Sequence, residues 1–459
     1  MFESHKFNNS ILRAYDIRGI VGETLHNIDA ERLGNIFASS FNTDKKKIIV
    51  CRDGRLSSPD LVNSLKKGLL DSGADVIDIG LGPSPMLYYA ANHLKSDGAI
   101  MVTGSHNPSN HNGFKIMKGT VPFFGKDIVD IGLRGLNKNW QYAKGNLRDY
   151  YIQDEYIKTL LKSTKINNFK NNIKVVWDPG NGATGEIIQK LVNFLPGEHV
   201  LINEDIDGTF PSHHPDPTDP KNLEEIISIV KGQKFDVGFS FDGDGDRLGL
   251  VSGSGKIIWG DQIVALLAQE VLKAIPNSPI IADVKASQNL FNEIKRLGGI
   301  PIMWKTGHSF IKLKMKEISA PLAGEMSGHI FFSDRYYGYD DGIYAALRVL
   351  ELINDNYTLD DFLNSFPKTF STQEIRIECS DERKFTIIEK LTSLLDNEGL
   401  IVNKIDGLRV KKETGWWLLR ASNTQAVLVA RIEADSENSL KKLKEELSFY
   451  LKKFDLSLT

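Results

Sequence analysis

The stretch Val237-Gly-Phe-Ser-Phe-Asp-Gly-Asp-Gly-Asp-Arg247 contains an apolar run of strand character that leads directly into an acidic loop. The loop aspartates alternate with glycines, which let a tight turn point several carboxylates at one place. Three anions held together repel one another unless a cation binds between them. Oxygen ligands suit Mg²⁺, whereas a calcium EF-hand would need Gly and Glu where this chain has Arg247 and Gly253. The loop therefore predicts a magnesium site at Asp242, Asp244 and Asp246.

Outward from this stretch, strand-like runs alternate with helix-like stretches over most of the chain, which favours an α/β architecture. The further strands are expected at 47–50, 76–79, 99–102, 173–177, 279–282 and 301–304. A helix is expected to begin at Pro59 and to end at Gly73.

The C-terminal part has a different pattern. Its predicted strands at 373–377, 416–420 and 426–432 are not separated by long crossovers, which indicates antiparallel pairing. A final helix is expected to carry one apolar face made of Leu440, Leu443, Leu447, Leu451 and Phe454. This part therefore predicts a smaller α+β domain.

Two other strand ends lead into polar loops, Thr103-Gly-Ser-His-Asn-Pro108 and Gly324-Glu-Met-Ser-Gly-His329. Ligands bind beyond the carboxyl ends of strands in open α/β sheets, so all three loops are placed where chemistry usually occurs. Ser105 taken alone favours an ordinary turn over a nucleophile. The neighbouring His106 does not indicate a Ser-His-Asp triad, because that arrangement depends on geometry across the fold.

The loop at 324–329 and a loop near the C-terminus carry groups that suit a phosphorylated sugar. Glu325 and Ser327 can bind sugar hydroxyls, and His329 can exchange a proton near neutral pH, although a packed or surface histidine is the alternative. Arg420-Ala-Ser-Asn-Thr424 offers a guanidinium, two hydroxyls and an amide, which suit a phosphate. A polar hairpin end is an equally good interpretation of that loop.

Length and composition set further bounds. The 459 residues suit three or four domains. The formal charge of −3 argues against broad nucleic-acid binding, so an anionic ligand must meet a local basic cleft. Two distant cysteines, Cys51 and Cys379, do not indicate a disulfide framework. Neither a secretory signal nor an apolar run of ~18 residues is recognisable, so we expect a cytoplasmic protein without membrane partners.

Taken together, these motifs resemble the α-D-phosphohexomutase superfamily, and within it the bacterial phosphomannomutase/phosphoglucomutase group. The resemblance extends in order from Tyr15 to Thr424 and covers nearly the whole chain. Its motifs are Ala14-Tyr-Asp-Ile-Arg-Gly19, Thr103-Gly-Ser-His-Asn-Pro108, Asn112-Gly-Phe-Lys115, Asp242-Gly-Asp-Gly-Asp-Arg247, Lys305-Thr-Gly-His308, Gly324-Glu-Met-Ser-Gly-His329 and Arg420-Ala-Ser-Asn-Thr424.

The resemblance implies four domains around a central cleft: three related α/β units with mixed sheets and a C-terminal α+β domain. The first, at 1–150, would carry the phosphoserine loop, and the second, at 151–253, the metal-binding loop. The third, at 254–367, would carry the sugar-binding loop, and the fourth, at 368–459, the loop for the distal phosphate.

The resemblance also implies a mechanism. Ser105 carries a phosphate in the active enzyme, and one Mg²⁺ joins it to the three aspartates. The phosphate moves between carbons 1 and 6 of a hexose through a hexose 1,6-bisphosphate, which also acts as activator. The other catalytic residues are Arg18, Lys115, Arg247 and His329, of which His329, Lys115 and Arg18 are candidates for proton handling. The substrate-binding residues are Tyr15, Lys285, His308, Glu325, Ser327, Arg420, Ser422, Asn423 and Thr424.

The preferred sugar is less well defined. Met326 resembles the group that acts on mannose and glucose phosphates, whereas phosphoglucosamine mutases typically carry Gln there. Gln425-Ala426 stands where Thr-Pro is common and could alter the phosphate loop. A phosphoglucosamine mutase is therefore the nearest alternative, and a metal-dependent sugar phosphatase with an aspartate nucleophile is the alternative from another class. The expected partner is a sugar phosphate, and the chain is expected to be a monomer or a dimer.

Overall fold

The computed structural model describes residues 4–43, 45–353, 357–423 and 425–458, which form four domains, each built on its own β-sheet. The first three sheets are mixed, and the fourth is antiparallel throughout. The predicted fold class, with three α/β units and a C-terminal α+β domain, is confirmed.

The first sheet has seven strands, in the order β1-β5-β4-β2-β3-β7 with β6 beside β5. Its strands are β1 (Ile17–Ile20), β2 (Lys46–Arg52), β3 (Ala74–Leu81), β4 (Gly98–Val102), β5 (His111–Lys118), β6 (Val121–Pro122) and β7 (Leu147–Asp149). Its helices are α1 (Asn27–Ala38), α2 (Ser58–Asp71), α3 (Ser84–His93) and α4 (Lys126–Leu136).

The second sheet has the order β12-β11-β10-β8-β9, and the third has the order β14-β13-β15-β16. The second domain consists of α5 (Gln153–Lys162), β8 (Lys174–Asp178), α6 (Gly185–Leu191), β9 (Glu198–Leu201), α7 (Glu224–Gln233), β10 (Val237–Phe241), β11 (Leu248–Ser252) and β12 (Ile257–Ile258). The third consists of α8 (Gly260–Ala274), β13 (Pro279–Asp283), α9 (Gln288–Arg296), β14 (Ile300–Trp304), α10 (His308–Ile318), β15 (Leu322–Gly324), β16 (Ile330–Phe332), α11 (Gly342–Leu350) and α12 (Leu359–Ser365).

The three α/β domains repeat one arrangement of four strands. Two parallel neighbours flank the central strand β2, β8 or β13, and a fourth strand then returns antiparallel beside β4, β10 or β15. The three polar loops of the sequence are the connections β4–β5, β10–β11 and β15–β16. They therefore occupy the same topological position in each domain.

The fourth domain is an antiparallel sheet in the order β17-β22-β21-β20-β19, with β18 also paired to β22. Its elements are β17 (Phe370–Ser371), β18 (Ile375–Glu378), α13 (Asp381–Asn397), β19 (Val402–Asn403), β20 (Leu408–Lys412), β21 (Gly415–Ala421), β22 (Val427–Ala434) and α14 (Glu437–Lys452). Leu443, Leu447 and Leu451 are buried on α14 as predicted, but Phe454 follows the end of that helix.

Clusters of buried apolar residues hold the domains together. One continuous cluster of buried residues extends through the first three domains and includes Ile49, Trp177 and Tyr344. The fourth domain has a separate core around Trp417. It contacts the third domain through a small apolar cluster that contains Val284, Trp416 and Leu418. The first three domains thus share a core, whereas the fourth is attached through a smaller contact.

Local expectations from the sequence agree with these elements. Helix α2 has Pro59 in its first turn and is followed by Gly73 at φ +78°. Cys51 and Cys379 are both free and buried. Within the described part of the chain, none of the helices combines the length and the apolar character needed to cross a membrane.

Candidate active site

The β4–β5, β10–β11 and β15–β16 loops and the β21–β22 loop of the fourth domain meet at one central cleft of about 1160 Å³. Nine lysine or arginine side chains and five carboxylates line it, although the whole chain carries a charge of −3. The cleft is thus the local basic region that an anionic ligand requires. The predicted residues that line it are Tyr15, Arg18, Ser105, Lys115, Arg247, Lys285, His308, Glu325, Ser327, His329, Arg420, Ser422 and Asn423. Thr424 lies outside the described residues.

Ser105 lies at the floor of this cleft and faces the second domain. Its backbone has φ +50°, a left-handed conformation that residues other than glycine rarely adopt. Its Oγ donates a hydrogen bond to Oδ2 of Asp242 at 2.7 Å, and Nδ1 of His106 lies 3.3 Å away. The serine hydroxyl is thereby fixed against the acidic loop rather than used in a Ser-His-Asp triad.

The acidic loop gathers three carboxylates directly beneath Ser105. Asp242, Asp244 and Asp246 are fully buried, and one oxygen of each lies within 4.8 Å of the others. Burial and the charges of Asp246 and Asp244 raise the pKa of Asp242 to about 8. Oδ1 of Asp244 is buried and has no hydrogen-bond partner among the described residues. This donor set can hold a hard divalent cation, because a cation would relieve both the repulsion and the unpaired oxygen.

Two basic side chains reach the carboxylates from different domains. Nζ of Lys115 donates to Oδ2 of Asp244 at 2.6 Å and also to Asp246. Burial disfavours the ammonium, but the charges of Asp244 and Asp246 outweigh it and raise the pKa of Lys115 well above its usual value. Nε of Arg247 lies 3.8 Å from Oδ2 of Asp242. Both cations therefore lie against the carboxylate cluster and can balance negative charge there.

The β15–β16 loop brings three polar residues to the other side of the carboxylates. Nε2 of His329 lies 3.2 Å from Oδ1 of Asp246, and its Nδ1 lies 3.1 Å from Glu325 and 3.0 Å from Oγ of Ser327. Burial by itself would lower the pKa of His329, but the charge of Asp246 and the hydrogen bonds to Asp246 and Glu325 together outweigh it and raise the pKa to about 9. The ring of His308 stacks on that of His329 with 5.7 Å between centroids.

The fourth domain closes the cleft over the first and third. The hydroxyl of Tyr15 donates to the backbone oxygen of Thr306 at 2.8 Å and accepts a bond from Nδ2 of Asn423. Arg420 is held by Asp406, with Nε 3.0 Å from Oδ2. Tyr15 thus links three domains, and the Arg420 loop faces the cleft instead of ending a solvent-exposed hairpin.

Another basic residue of the cleft has a carboxylate partner from the fourth domain. Nζ of Lys285 donates to Oε1 of Glu374 at 2.5 Å, and its charge lowers the pKa of Glu374 to about 2. Glu374 belongs to none of the motifs found in the sequence, so its place in the cleft was not predicted. Arg18 is paired with a residue of its own motif, since Nη2 donates to Oδ2 of Asp16 at 2.5 Å.

Three further residues support the site without having been predicted from the sequence. Ser84 opens α3 and donates its backbone N–H to the backbone oxygen of Asp244 at 2.8 Å and its Oγ to the carboxylate of the same residue. Asp340 is buried beside His329 and pairs with Lys312 at 2.6 Å. Asp246, His329 and Asp340 form a second group close enough to hold a metal ion. A serine at a helix start and the Asp340-Asp341 pair are too common in sequences to have signalled these contacts.

Fold and site together define the class of protein: a four-domain enzyme with a serine hydroxyl on a buried carboxylate cluster inside a basic cleft. The models of phosphoglucomutase/phosphomannomutase domains I, II, III and IV match residues 9–129, 154–255, 259–370 and 374–448 in that order. The chain belongs to the phosphoglucomutase/phosphomannomutase family, as the resemblance of its motifs implied.

Individual relatives match this chain over nearly the full length of both proteins. A phosphomannomutase/phosphoglucomutase of Pseudomonas putida is 45% identical over 95% of this chain and 94% of its own length. A phosphoglucomutase of Neisseria meningitidis is 41% identical, with 95% of each chain covered. The crystal structure of a phosphoglucomutase/phosphomannomutase family protein from Burkholderia thailandensis superimposes with a TM-score of 0.89 at 40% identity, and 97% of each chain is covered.

Proposed function

We propose that this protein is a phosphohexomutase that interconverts the 1-phosphate and the 6-phosphate of a hexose, glucose or mannose, through a phosphorylated Ser105. The observation that carries this proposal is the 2.7 Å hydrogen bond between Oγ of Ser105 and Asp242, at the floor of a basic cleft. A hydroxyl in that position can exchange a phosphoryl group with a ligand in the cleft, and cations on both sides can balance the charge.

In the proposed reaction, a free hydroxyl of the bound sugar attacks the phosphorus of phosphoserine. A bond forms between that hydroxyl oxygen and phosphorus as the bond from Oγ of Ser105 breaks, and the hydroxyl proton passes to a basic group of the site. The product is a hexose 1,6-bisphosphate, which turns end for end and returns its other phosphate to Ser105. The candidates for proton handling are His329, Lys115 and Arg18.

The chain's own residues divide the remaining work. We assign Lys115 and Arg247 to charge balance at the transfer site, because both lie against the carboxylate cluster. Asp242, Asp244 and Asp246, together with the oxygen of Ser105, would hold Mg²⁺. When bound, the ion supplies positive charge to the transferring phosphoryl group.

The opposite side of the cleft suits the rest of the substrate. We propose that Glu325 and Ser327 bind sugar hydroxyls, with Lys285, His308 and Tyr15 contributing to the same pocket. The distal phosphate would be bound by the loop Arg420, Ser422, Asn423 and Thr424. We expect Glu325 and Ser327 to bind the 3- and 4-hydroxyls and to leave the 2-hydroxyl without a partner, so glucose and mannose phosphates are both proposed substrates.

Further features of the protein stay predictions from the sequence. We place the domain boundaries at 1–150, 151–253, 254–367 and 368–459. Strand β12 (Ile257–Ile258) lies beyond the boundary at 253 but pairs with β11 in the second sheet. A cytoplasmic location and a monomeric or dimeric state are likewise expected.

The proposed function is tested by determining which residue of the protein becomes phosphorylated. The purified protein is incubated with glucose 1,6-bisphosphate and Mg²⁺, and its intact mass and the phosphorylated peptide are determined. We expect one phosphate on Ser105, stable in acid, and nearly complete loss of mutase turnover in Ser105→Ala. Ser333→Ala is the matched control, because its Oγ donates a hydrogen bond to the backbone oxygen of Ala320 in the third domain.

Two outcomes would contradict the proposal. Wild-type turnover in Ser105→Ala would remove the phosphoserine route. A base-labile phosphate on an aspartate of the acidic loop would favour a phosphatase instead. Parallel turnover assays with glucosamine 6-phosphate and mannose 1-phosphate separate the two mutase specificities.

A further inference from the structure

Arg55 is a fully buried arginine between β2 and α2 whose guanidinium lies inside the β4–β5 loop. It donates hydrogen bonds to four backbone oxygens of that loop or its end: Ser105 at 2.6 Å, Asn107 at 2.6 Å, Pro108 at 2.5 Å and His111 at 3.0 Å. A guanidinium presents five N–H donors in a fixed planar fork, which suits several carbonyls around one centre. The loop that carries Ser105 is therefore wrapped around the side chain of Arg55.

Gly104 supplies a second, independent sign that this loop is built around Arg55. A Cβ at position 104 would lie 2.5 Å from Cζ and Nε of Arg55 and 2.8 Å from the backbone oxygen of His111, closer than Cβ atoms approach other atoms in proteins. Only glycine leaves room for the guanidinium there. The next residue, Ser105, has φ +50°, a conformation that persists only where the surroundings fix it. The bond from Arg55 to the Ser105 carbonyl is one of the contacts that fix it.

The guanidinium is itself anchored from two sides. Oδ2 of Asp53 lies 3.3 Å from its Nε and also accepts the N–H of Gly104 at 3.2 Å. The ring of Phe210, in the second domain, covers the guanidinium at 5.0 Å from centroid to Cζ. The same domain carries the acidic loop, so Arg55 lies at the junction between the serine loop and the domain that bears its carboxylate partner.

We propose that Arg55 is a positioning residue for phosphoryl transfer: it holds the backbone of the serine loop so that Oγ of Ser105 faces Asp242. Arg55 does not line the cleft, so it acts through the loop and not on the substrate. This inference rests on the proposed role of Ser105. A residue that only stabilised the fold would affect the melting temperature. The proposed role of Arg55 also requires the rate of the chemical step to depend on the geometry of its guanidinium.

Arg55→Lys tests the inference. Lysine keeps the positive charge beside Asp53, but its single ammonium cannot reach four carbonyls spread around a planar fork. We expect kcat to fall on the order of 10²-fold, because a displacement near 1 Å of a reacting group has an effect of that size. KM should change little, since no substrate contact is lost. The fraction of Ser105 that becomes phosphorylated by glucose 1,6-bisphosphate in a fixed time should fall in parallel.

Arg348→Lys is the matched control. Arg348 is equally buried and binds Glu270 and Asp334, but it lies away from the cleft. It should lose thermal stability without a change in kcat of the folded enzyme. A kcat for Arg55→Lys within about threefold of wild type, or a loss no greater than that of Arg348→Lys, would overturn the inference.

Two additional variants keep the test decisive if Arg55→Lys folds poorly. Gly104→Ala retains the arginine but displaces its guanidinium, so the same loss of kcat is expected. Arg55→Gly in millimolar guanidinium chloride should regain part of its kcat, because the free ion can refill the space among the loop carbonyls, and the absence of any regain would count against the role of the guanidinium. Ser105→Ala is assayed alongside. Wild-type turnover there overturns the proposed function as well, whereas an inactive Ser105→Ala together with a normal Gly104→Ala overturns the role of Arg55 alone.

Discussion

Gly243 offers a direct test of how closely the serine and acidic loops must approach. A Cβ added at this position would lie 2.5 Å from the backbone oxygen of Ser105, whereas ordinary contact begins at 3.4 Å. Gly243→Ala must therefore separate the two loops by about 1 Å, and a displacement of that size at a reacting group lowers the rate on the order of 10²-fold. This corresponds to about 2.7 kcal/mol of activation free energy. The backbone of Gly243 is not left-handed, so alanine meets a clash and no additional strain.

The assay is steady-state conversion of glucose 1-phosphate to glucose 6-phosphate, with kcat and KM determined separately and the melting temperature recorded. Gly232→Ala is the matched control in the same domain, because nothing lies within 4 Å of the added Cβ and the residue is in helix α7. That variant should keep its kcat and gain roughly 1 kcal/mol of stability from helix propensity. A folded Gly243→Ala enzyme with kcat within about threefold of wild type would refute the claim that this close approach sets the rate.

Two other predictions concern the distal phosphate and the metal. Arg420→Ala removes charge-assisted hydrogen bonds of about 1.5–3 kcal/mol, so kcat/KM should fall roughly 10- to 150-fold in the same assay. Arg383→Ala, at an exposed position of helix α13, serves as control. Unchanged kinetics would exclude the fourth domain from substrate binding. Chelation should abolish turnover and Mg²⁺ should restore it. By calorimetry, saturating Mg²⁺ at ~100 times its Kd should stabilise wild type by about 2.7 kcal/mol but not Asp244→Ala, and equal stabilisation of both would place the ion elsewhere.

The sequence predicted the elements of the fold well because their signals are local. The apolar run at 237–241 forms strand β10. Pro59 lies in the first turn of helix α2, and Gly73 follows its last turn. Local signals also account for the small errors. The final helix ends at Lys452, so Phe454 contributes to the core from outside it. The period of a helix can be read from apolar spacing, but its last turn depends on contacts with the rest of the domain.

The candidate site was accessible from the sequence only through residue types and motifs. Alternating Asp and Gly indicated a metal loop without any knowledge of the fold, because few other arrangements bring carboxylates together. Ser105 by itself indicated an ordinary turn. Its position beside Asp242 depends on a contact between residues 137 positions apart, which no local pattern encodes. Arg55 is part of Arg52-Asp-Gly-Arg55, but no local pattern there indicates that four carbonyls surround it.

By itself, the sequence determined the α/β class, the alternation of strands and loops, and the kinds of side chain each loop offers. These depend on apolar periodicity and on glycine and proline placement, which act over a few residues. Only the tertiary structure decided that equivalent loops from three domains face one cleft, that Tyr15 joins the first, third and fourth domains, and that Arg55 lies inside the serine loop. Those contacts arise from the packing of whole domains on a shared core, and that packing depends on side chains far apart in the chain.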